Sequence, residues 1–163
     1  MGKVFLTPLV LAQQATPAAP GAGYLALYAK ADGQVYVRGS SGGERSLGSG
    51  IVFPFSYTGT LTAMTGVHRI YNDTGLTLPI RSVRASVGTA PTGAAVICDV
   101  LVDGTTIFSG GAGRPQIAVS TNTNKTVGMS TTEIADGSYF TVDIDQVGST
   151  VPGADLTVQI LCG

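Results

Sequence analysis

One histidine, two cysteines and a few closely spaced aspartates are the residues of this 163-residue chain best equipped for chemistry. His68 is the sole histidine, and neither Cys98 nor Cys162 has an activating neighbour in sequence. Nucleophilic catalysis needs a base held against the nucleophile, and no such pairing is legible here. His68 therefore reads as a structural or surface residue. The cysteines lack the paired spacing of a metal site. Both fall on the apolar side of alternating runs and read as buried, reduced thiols in preference to a disulfide. Asp143 and Asp145 alternate along a strand-like run, so they share a face. Paired carboxylates can act as acid and base or hold a hard cation. Here Phe140, Val142 and Ile144 make the inward set, so the aspartates are expected on a solvated outer face, as are Asp99 and Asp103.

Other patterns are weaker still. Asn72-Asp73-Thr74 and Asn124-Lys125-Thr126 have the glycosylation triplet but read better as turns. Gly110-Gly111-Ala112-Gly113 lacks the Lys-Ser/Thr of a phosphate loop. The expectation is a chain without catalytic residues, cofactor or metal. Nine basic and ten acidic residues, scattered, give a net charge of −1, which argues against nucleic acid as a partner. Tyrosines can stack on sugars from an exposed sheet face, and Tyr57, Tyr71 and Tyr139 are the candidates. The lack of tryptophan favours packing roles for them.

The elements that would position these residues are strands. Twenty-three glycines, eight prolines and abundant Thr, Val and Ser make an all-β composition. Three regions are expected: an anchoring arm with a Pro/Gly linker over 1–23, a β-hairpin unit over 24–50, and an antiparallel, jelly-roll-like β-sandwich over 51–163. Residues 24–30 and 34–38 alternate around Asp32-Gly33, a strong hairpin signal. A lone hairpin is marginal in water, so it needs a partner. In the large region, strands are expected over 67–71, 78–87, 94–102, 105–108, 116–120, 125–129, 138–147 and 156–162, with at most one helical turn at 131–134. In such a jelly roll the strands of Cys98 and Cys162 are expected to be neighbours.

Residues 1–12 pair Lys3 with Val4, Phe5, Leu6, Leu9 and Leu11, the outline of a secretory signal. An arm docked on a partner is the preferred expectation, with Val4, Phe5, Leu6, Leu9, Leu11, Tyr24, Tyr28 and Tyr36 as docking residues. No membrane partner is expected.

Pro17-Ala-Ala-Pro20, then Gly23-Tyr24-Leu-Ala-Leu-Tyr28-Ala-Lys-Ala-Asp32-Gly33-Gln-Val-Tyr36 and Gly43-Glu44, resembles a linker-hairpin unit of virion proteins of tailed bacteriophages, especially those of actinobacteria. The run from Ile80 to Gly88, Ala90-Pro91-Thr92-Gly93-Ala94, Asp99 to Phe108, and Asp143 to Thr150 with Pro152 to Leu156 resembles phage β-sandwich modules. The resemblance implies a virion structural protein, a homotrimer, and carries no catalytic residues. Without shaft repeats, a capsid decoration protein or short head fibre is expected, contacting the major capsid protein or another virion protein. The alternatives are a tail fibre or minor tail protein that recognises a host-surface carbohydrate, and a secreted β-sandwich lectin or enzyme.

Overall fold

The computed structural model describes residues 10–31, 33–48, 50–111 and 113–163. The chain divides into two compact units, Met1–Ser49 and Gly50–Gly163. Val4, Phe5, Leu6 and Leu9 of the expected arm lie outside the described residues, as do Asp32 and Ser49.

The first unit is a three-stranded antiparallel sheet of β1 (Leu25–Ala29), β2 (Val35–Gly39) and β3 (Glu44–Ser46), in that order. Leu27 lies opposite Val37 and Ala29 opposite Val35. Lys30 and Gln34 close the β1–β2 turn, the Lys30 N–H donating to the Gln34 carbonyl at 3.0 Å. Three residues therefore make the connection, instead of a two-residue Asp-Gly turn. Gly33, with φ of 77°, takes the left-handed position that three-residue loops give to glycine. Gln13 bridges Ala29 in parallel and covers part of the β1 edge.

The second unit is an antiparallel, sandwich-like all-β domain. Its strands are β4 (Ile51–Thr60), β5 (Ile70–Tyr71), β6 (Leu78–Thr89), β7 (Val96–Val102), β8 (Thr105–Thr106), β9 (Gln116–Ile117), β10 (Thr123–Thr126), β11 (Glu133–Ile134), β12 (Tyr139–Gln146) and β13 (Ala154–Cys162). One sheet has the order β10-β6-β13-β4, with β11 on β6. The other has the order β5-β12-β7-β8, with β9 on β7. The inward residues alternate as the pleat requires. Phe53, Phe55, Val83, Ala85, Val158 and Ile160 of the first sheet and Val96, Cys98, Val100, Phe140, Val142 and Ile144 of the second form one buried cluster. Phe53 and Phe140 meet edge to face across it, with ring centroids 5.2 Å apart. Each large aliphatic chain buried here contributes about 1.5–3 kcal/mol relative to exposure.

Two bulges explain where simple alternation fails. On β6, Leu161 faces Ser82 while Cys162 faces Ile80, so Arg81 is the extra residue. Ile80 and Val83 can then both point inward although three residues apart. On β12, Ile144 faces Cys98 and Gln146 faces Ile97, which leaves Asp145 as the extra residue.

Several expectations are corrected. β4, with ten residues, was not foreseen: a proline inside a run argues against a strand, and Pro54 fits at an outward position of β4 because β4 is an edge strand. Residues 131–134 form no helical turn; Glu133 and Ile134 pair with Pro79 and Leu78. Cys98 and Cys162 are not on neighbouring strands, because β7 and β13 belong to opposite sheets. Both are buried and free.

Candidate functional site

The first unit separates its side chains by face. Tyr28, Tyr36, Arg38 and Glu44 lie on one side of the sheet, where register makes Tyr28 the partner of Tyr36 and Arg38 the partner of Glu44. Tyr28 is 1% exposed, and its ring stacks on Tyr36 at 6.0 Å. Lys30 Nζ sits 4.3 Å from the Tyr36 ring centroid. Glu44 accepts from the Tyr28 hydroxyl, from Lys30 Nζ and from the Thr16 hydroxyl. The hydrogen bonds from Lys30 and Tyr28 hold the Glu44 carboxyl below its ordinary range. Arg38 Nη1 donates to the Pro17 carbonyl at 2.7 Å, tying the linker to the same side. Tyr28 thus packs within the unit, and Tyr36 is half-buried against it. The opposite face carries Leu25, Leu27, Val37 and, one register step on, Leu47. Leu25 is 73% exposed, Leu27 45% and Leu47 48%. Tyr24 is also exposed, and Leu11 is half-buried.

The second unit concentrates polar and aromatic groups on the outer face of the β5-β12-β7-β8 sheet. Outward residues of β12 are Tyr139, Thr141 and Asp143, because Phe140, Val142 and Ile144 point inward. Met64 and Ile144 exchange backbone hydrogen bonds, and Ile70 pairs with Phe140. Six steps of chain thus run beside four of β12, and residues 65–69 arch outward. Gly66 anchors this arch. Its N–H donates to Asp143 Oδ1 at 2.7 Å, and a Cβ there would lie 1.9 Å from the Val142 carbonyl oxygen. Only glycine can approach β12 so closely. Between the arch and the sheet is a depression of about 350 Å³, floored by Tyr139, Thr141, Asp143 and Leu101 and walled by Thr65, Val67 and Arg69.

Tyr139 and Tyr71 are directly opposite across β12 and β5, with ring centroids 5.3 Å apart. The Arg69 guanidinium lies 4.6 Å from the Tyr139 ring centroid. A hydrogen bond with the Tyr71 side chain, aided by the Tyr139 phenol, raises the pKa of Arg69. Tyr57 lies elsewhere. It is half-buried on β4 and donates its hydroxyl to the Val142 carbonyl at 2.7 Å, and burial pushes its pKa up to about 12. Of the three tyrosines proposed for sugar contact, the fold brings two together and uses the third as a tie between sheets. Arg69 was not among the candidates. Its signal was its spacing, two residues from Tyr71 on the same strand-like run.

Beside this patch Asp99 and Asp143 are directly opposite, an arrangement that like charges disfavour. Arg114 relieves it. Its Nη2 lies 2.8 Å from Asp99 Oδ2 and its Nη1 lies 2.9 Å from Asp145 Oδ2. The Thr106 hydroxyl donates to Asp99 Oδ1 at 2.6 Å. Asp99 is therefore buried and paired, not solvated as expected, because Arg114 and β8 cover its strand. Asp145 stands on the bulge. Partial burial, with Asp99 and Asp143 nearby, raises its pKa, and Arg114 opposes the rise.

Burial pushes the Cys98 thiol up to about 12 and the Cys162 thiol to about 11, opposite to what a nucleophilic thiolate needs. His68 is exposed and lines an opening with Tyr57, Met64 and Ile144, and neither cysteine is part of that lining. Ser41, within Gly39-Ser40-Ser41-Gly42-Gly43, occupies the turn between β2 and β3, whereas a nucleophile elbow joins a strand to a helix. Among the described residues no three His, Cys, Asp or Glu are grouped to hold a metal ion. Among them, too, no helix is long and apolar enough to cross a membrane. Asn72 is buried, donating to the carbonyls of Leu76, Ile134 and Ala135, so it serves as a loop tie. The chain matches no family model, no curated protein and no solved structure.

Proposed function

We propose that this chain is a non-enzymatic structural protein of a phage virion, most simply a capsid decoration protein or short head fibre. Its N-terminal unit docks on the major capsid protein or another virion protein, and the sandwich is displayed. The observation that carries this reading is the exposed apolar face of β1 and β2. This sheet gathers Tyr28, Tyr36, Arg38 and Glu44 on one face and leaves Leu25 and Leu27, with Leu47 just beyond β3, exposed on the other. Such a patch on a small soluble unit marks an interaction surface. A three-stranded sheet with one uncovered apolar face also gains its stability on docking. Copies of the chain meeting as a homotrimer would enlarge that interface, and the segment before Val10 would add to the anchor.

The strand orders support a jelly-roll description of the sandwich. β4 lies beside β13, β5 beside β12, β6 beside β10, and β7 beside β8 and β9. Such pairing fits the nesting of a rolled-up hairpin, an architecture used by viral capsid domains and lectins alike. Fold alone does not select between them.

The test is loading onto assembled shells of the major capsid protein. The full chain should co-sediment with the shells at many copies per particle. Leu25→Ser combined with Leu27→Ser should abolish loading while the near-ultraviolet spectrum of the sandwich stays unchanged. Undiminished loading of that variant would refute docking through this face. A stoichiometry of a few copies per virion would move the protein to the tail.

A further inference from the structure

We infer that the depression between the 65–69 arch and β12 is a binding site for a neutral saccharide. It is independent of the docking reading, because every residue involved belongs to the second unit.

The lining has the chemistry that a sugar requires. Its volume falls at the lower end of ordinary small-molecule sites, roughly 300–1,000 Å³. Leu101 and Tyr139 supply apolar and aromatic surface in the floor, and Val67 supplies an apolar wall. Tyr71 leans on Tyr139 and remains 45% exposed, so the aromatic surface continues out of the depression. Aromatic surface packs against the C–H face of a pyranose, leaving the hydroxyls for polar partners. Those partners are at hand. Arg69 presents N–H donors and is held in place over Tyr139. Thr141 contributes a hydroxyl, and Asp143 has a second carboxylate oxygen beyond the one occupied by Gly66. Arg69 from the wall and Thr141 and Asp143 from the floor thus place donors and acceptors beside the apolar surface of Leu101, Val67 and Tyr139. One arginine and one aspartate balance in charge, which favours a neutral ligand over an anion.

The site is also built rather than accidental. The arch exists because residue 66 has no side chain, and its position is set by two backbone bonds at Met64 and one carboxylate bond at Gly66. Thr141 is only 8% exposed at the bottom. A site held on a strand and a tied arch is preorganised, which lowers the cost of binding.

The test is a titration of the ¹⁵N-labelled full chain with D-glucose, D-galactose, N-acetyl-D-glucosamine and D-glucuronate, followed by amide shifts. A monosaccharide of about twelve heavy atoms at ordinary ligand efficiency predicts a Kd of about 1 mM. At least one neutral sugar should give saturable shifts confined to residues 65–71, 101–104 and 139–143. Arg69→Gln and Tyr71→Ala, both at exposed positions, should each weaken that binding about tenfold, as expected for loss of one charge-assisted hydrogen bond or one stacking surface. Val119→Ser, at an exposed site outside the depression, should leave it unchanged. Absence of saturable shifts with all three neutral sugars overturns the proposal. So does binding of glucuronate alone, which would make Arg69 an anion site, or binding that survives both variants.

Discussion

Gly66→Ala is the sharpest probe of how the second unit builds its outer face. The new methyl carbon would sit 1.9 Å from the Val142 carbonyl oxygen, 2.7 Å from its carbon and 3.1 Å from its nitrogen. These are backbone atoms of a central strand, so the arch must lift instead. Lifting breaks the Gly66 N–H bond to Asp143, and to the extent that the arch stays down the methyl crowds the carbonyl that accepts from Tyr57. A hydrogen bond to a carboxylate contributes about 1.5–3 kcal/mol and a neutral one about 1 kcal/mol. The expected loss is about 2–4 kcal/mol, partial retention of either bond placing it at the low end. For a domain slightly above 100 residues, each kcal/mol moves Tm by about 4 °C, so the midpoint should fall by about 8–16 °C. Thermal unfolding followed by circular dichroism measures this directly. Gly128→Ala is the control: its methyl would meet nothing closer than 3.8 Å, and its φ is not left-handed, so its Tm should hold or rise slightly. A Tm for Gly66→Ala within about 2 °C of the parent would refute the close-approach account of the arch.

Arg114→Gln should destabilise the second unit by about 3 kcal/mol, because it leaves the buried Asp99 carboxylate without its cation; adding Asp99→Asn should recover part of the loss in chemical denaturation. Cys98 and Cys162 should resist iodoacetamide in the native state and react after denaturation, as judged by mass spectrometry. Their folded pKa values of about 12 and about 11, and that of Tyr57 at about 12, lie above the unfolded ones. Their stabilising contribution is therefore complete below the ordinary thiol range and is lost as pH rises through the folded values, so urea midpoints should decline above about pH 9. Glu44 has the opposite sign: its folded pKa is lowered, so its contribution is present above the ordinary carboxylate range and disappears as pH falls below about 4. Amide shifts of β1–β3 should report that loosening, and Glu44→Gln should remove its pH dependence.

Much of the all-β character was legible because alternation and turn chemistry are local. Asp103 and Gly104 connect β7 to β8 in two residues with φ of 49° and 82°, as an Asp-Gly hairpin demands. The inward set Phe140, Val142 and Ile144 followed from the period of two. The first strand of the sandwich was hidden by Pro54, whose tolerance depends on β4 having a neighbour on one side only. Likewise Arg81 and Asp145 became bulges through the registers of β13 and β7, which no local pattern encodes.

The sequence alone determined the all-β character, the two side-chain faces of regular strands such as β12 and turns such as Asp103-Gly104, since these depend on a residue and its near neighbours. Only the tertiary structure decided what the functional groups meet. It placed Tyr71 against Tyr139, separated them from Tyr57, and brought Arg114 to Asp99 and Asp145. It also turned Tyr28 inward and left Leu25 and Leu27 exposed, although the two sets alternate along one strand. The physical reason is that period two assigns side chains to two faces, while the partner that covers a face comes from distant parts of the chain.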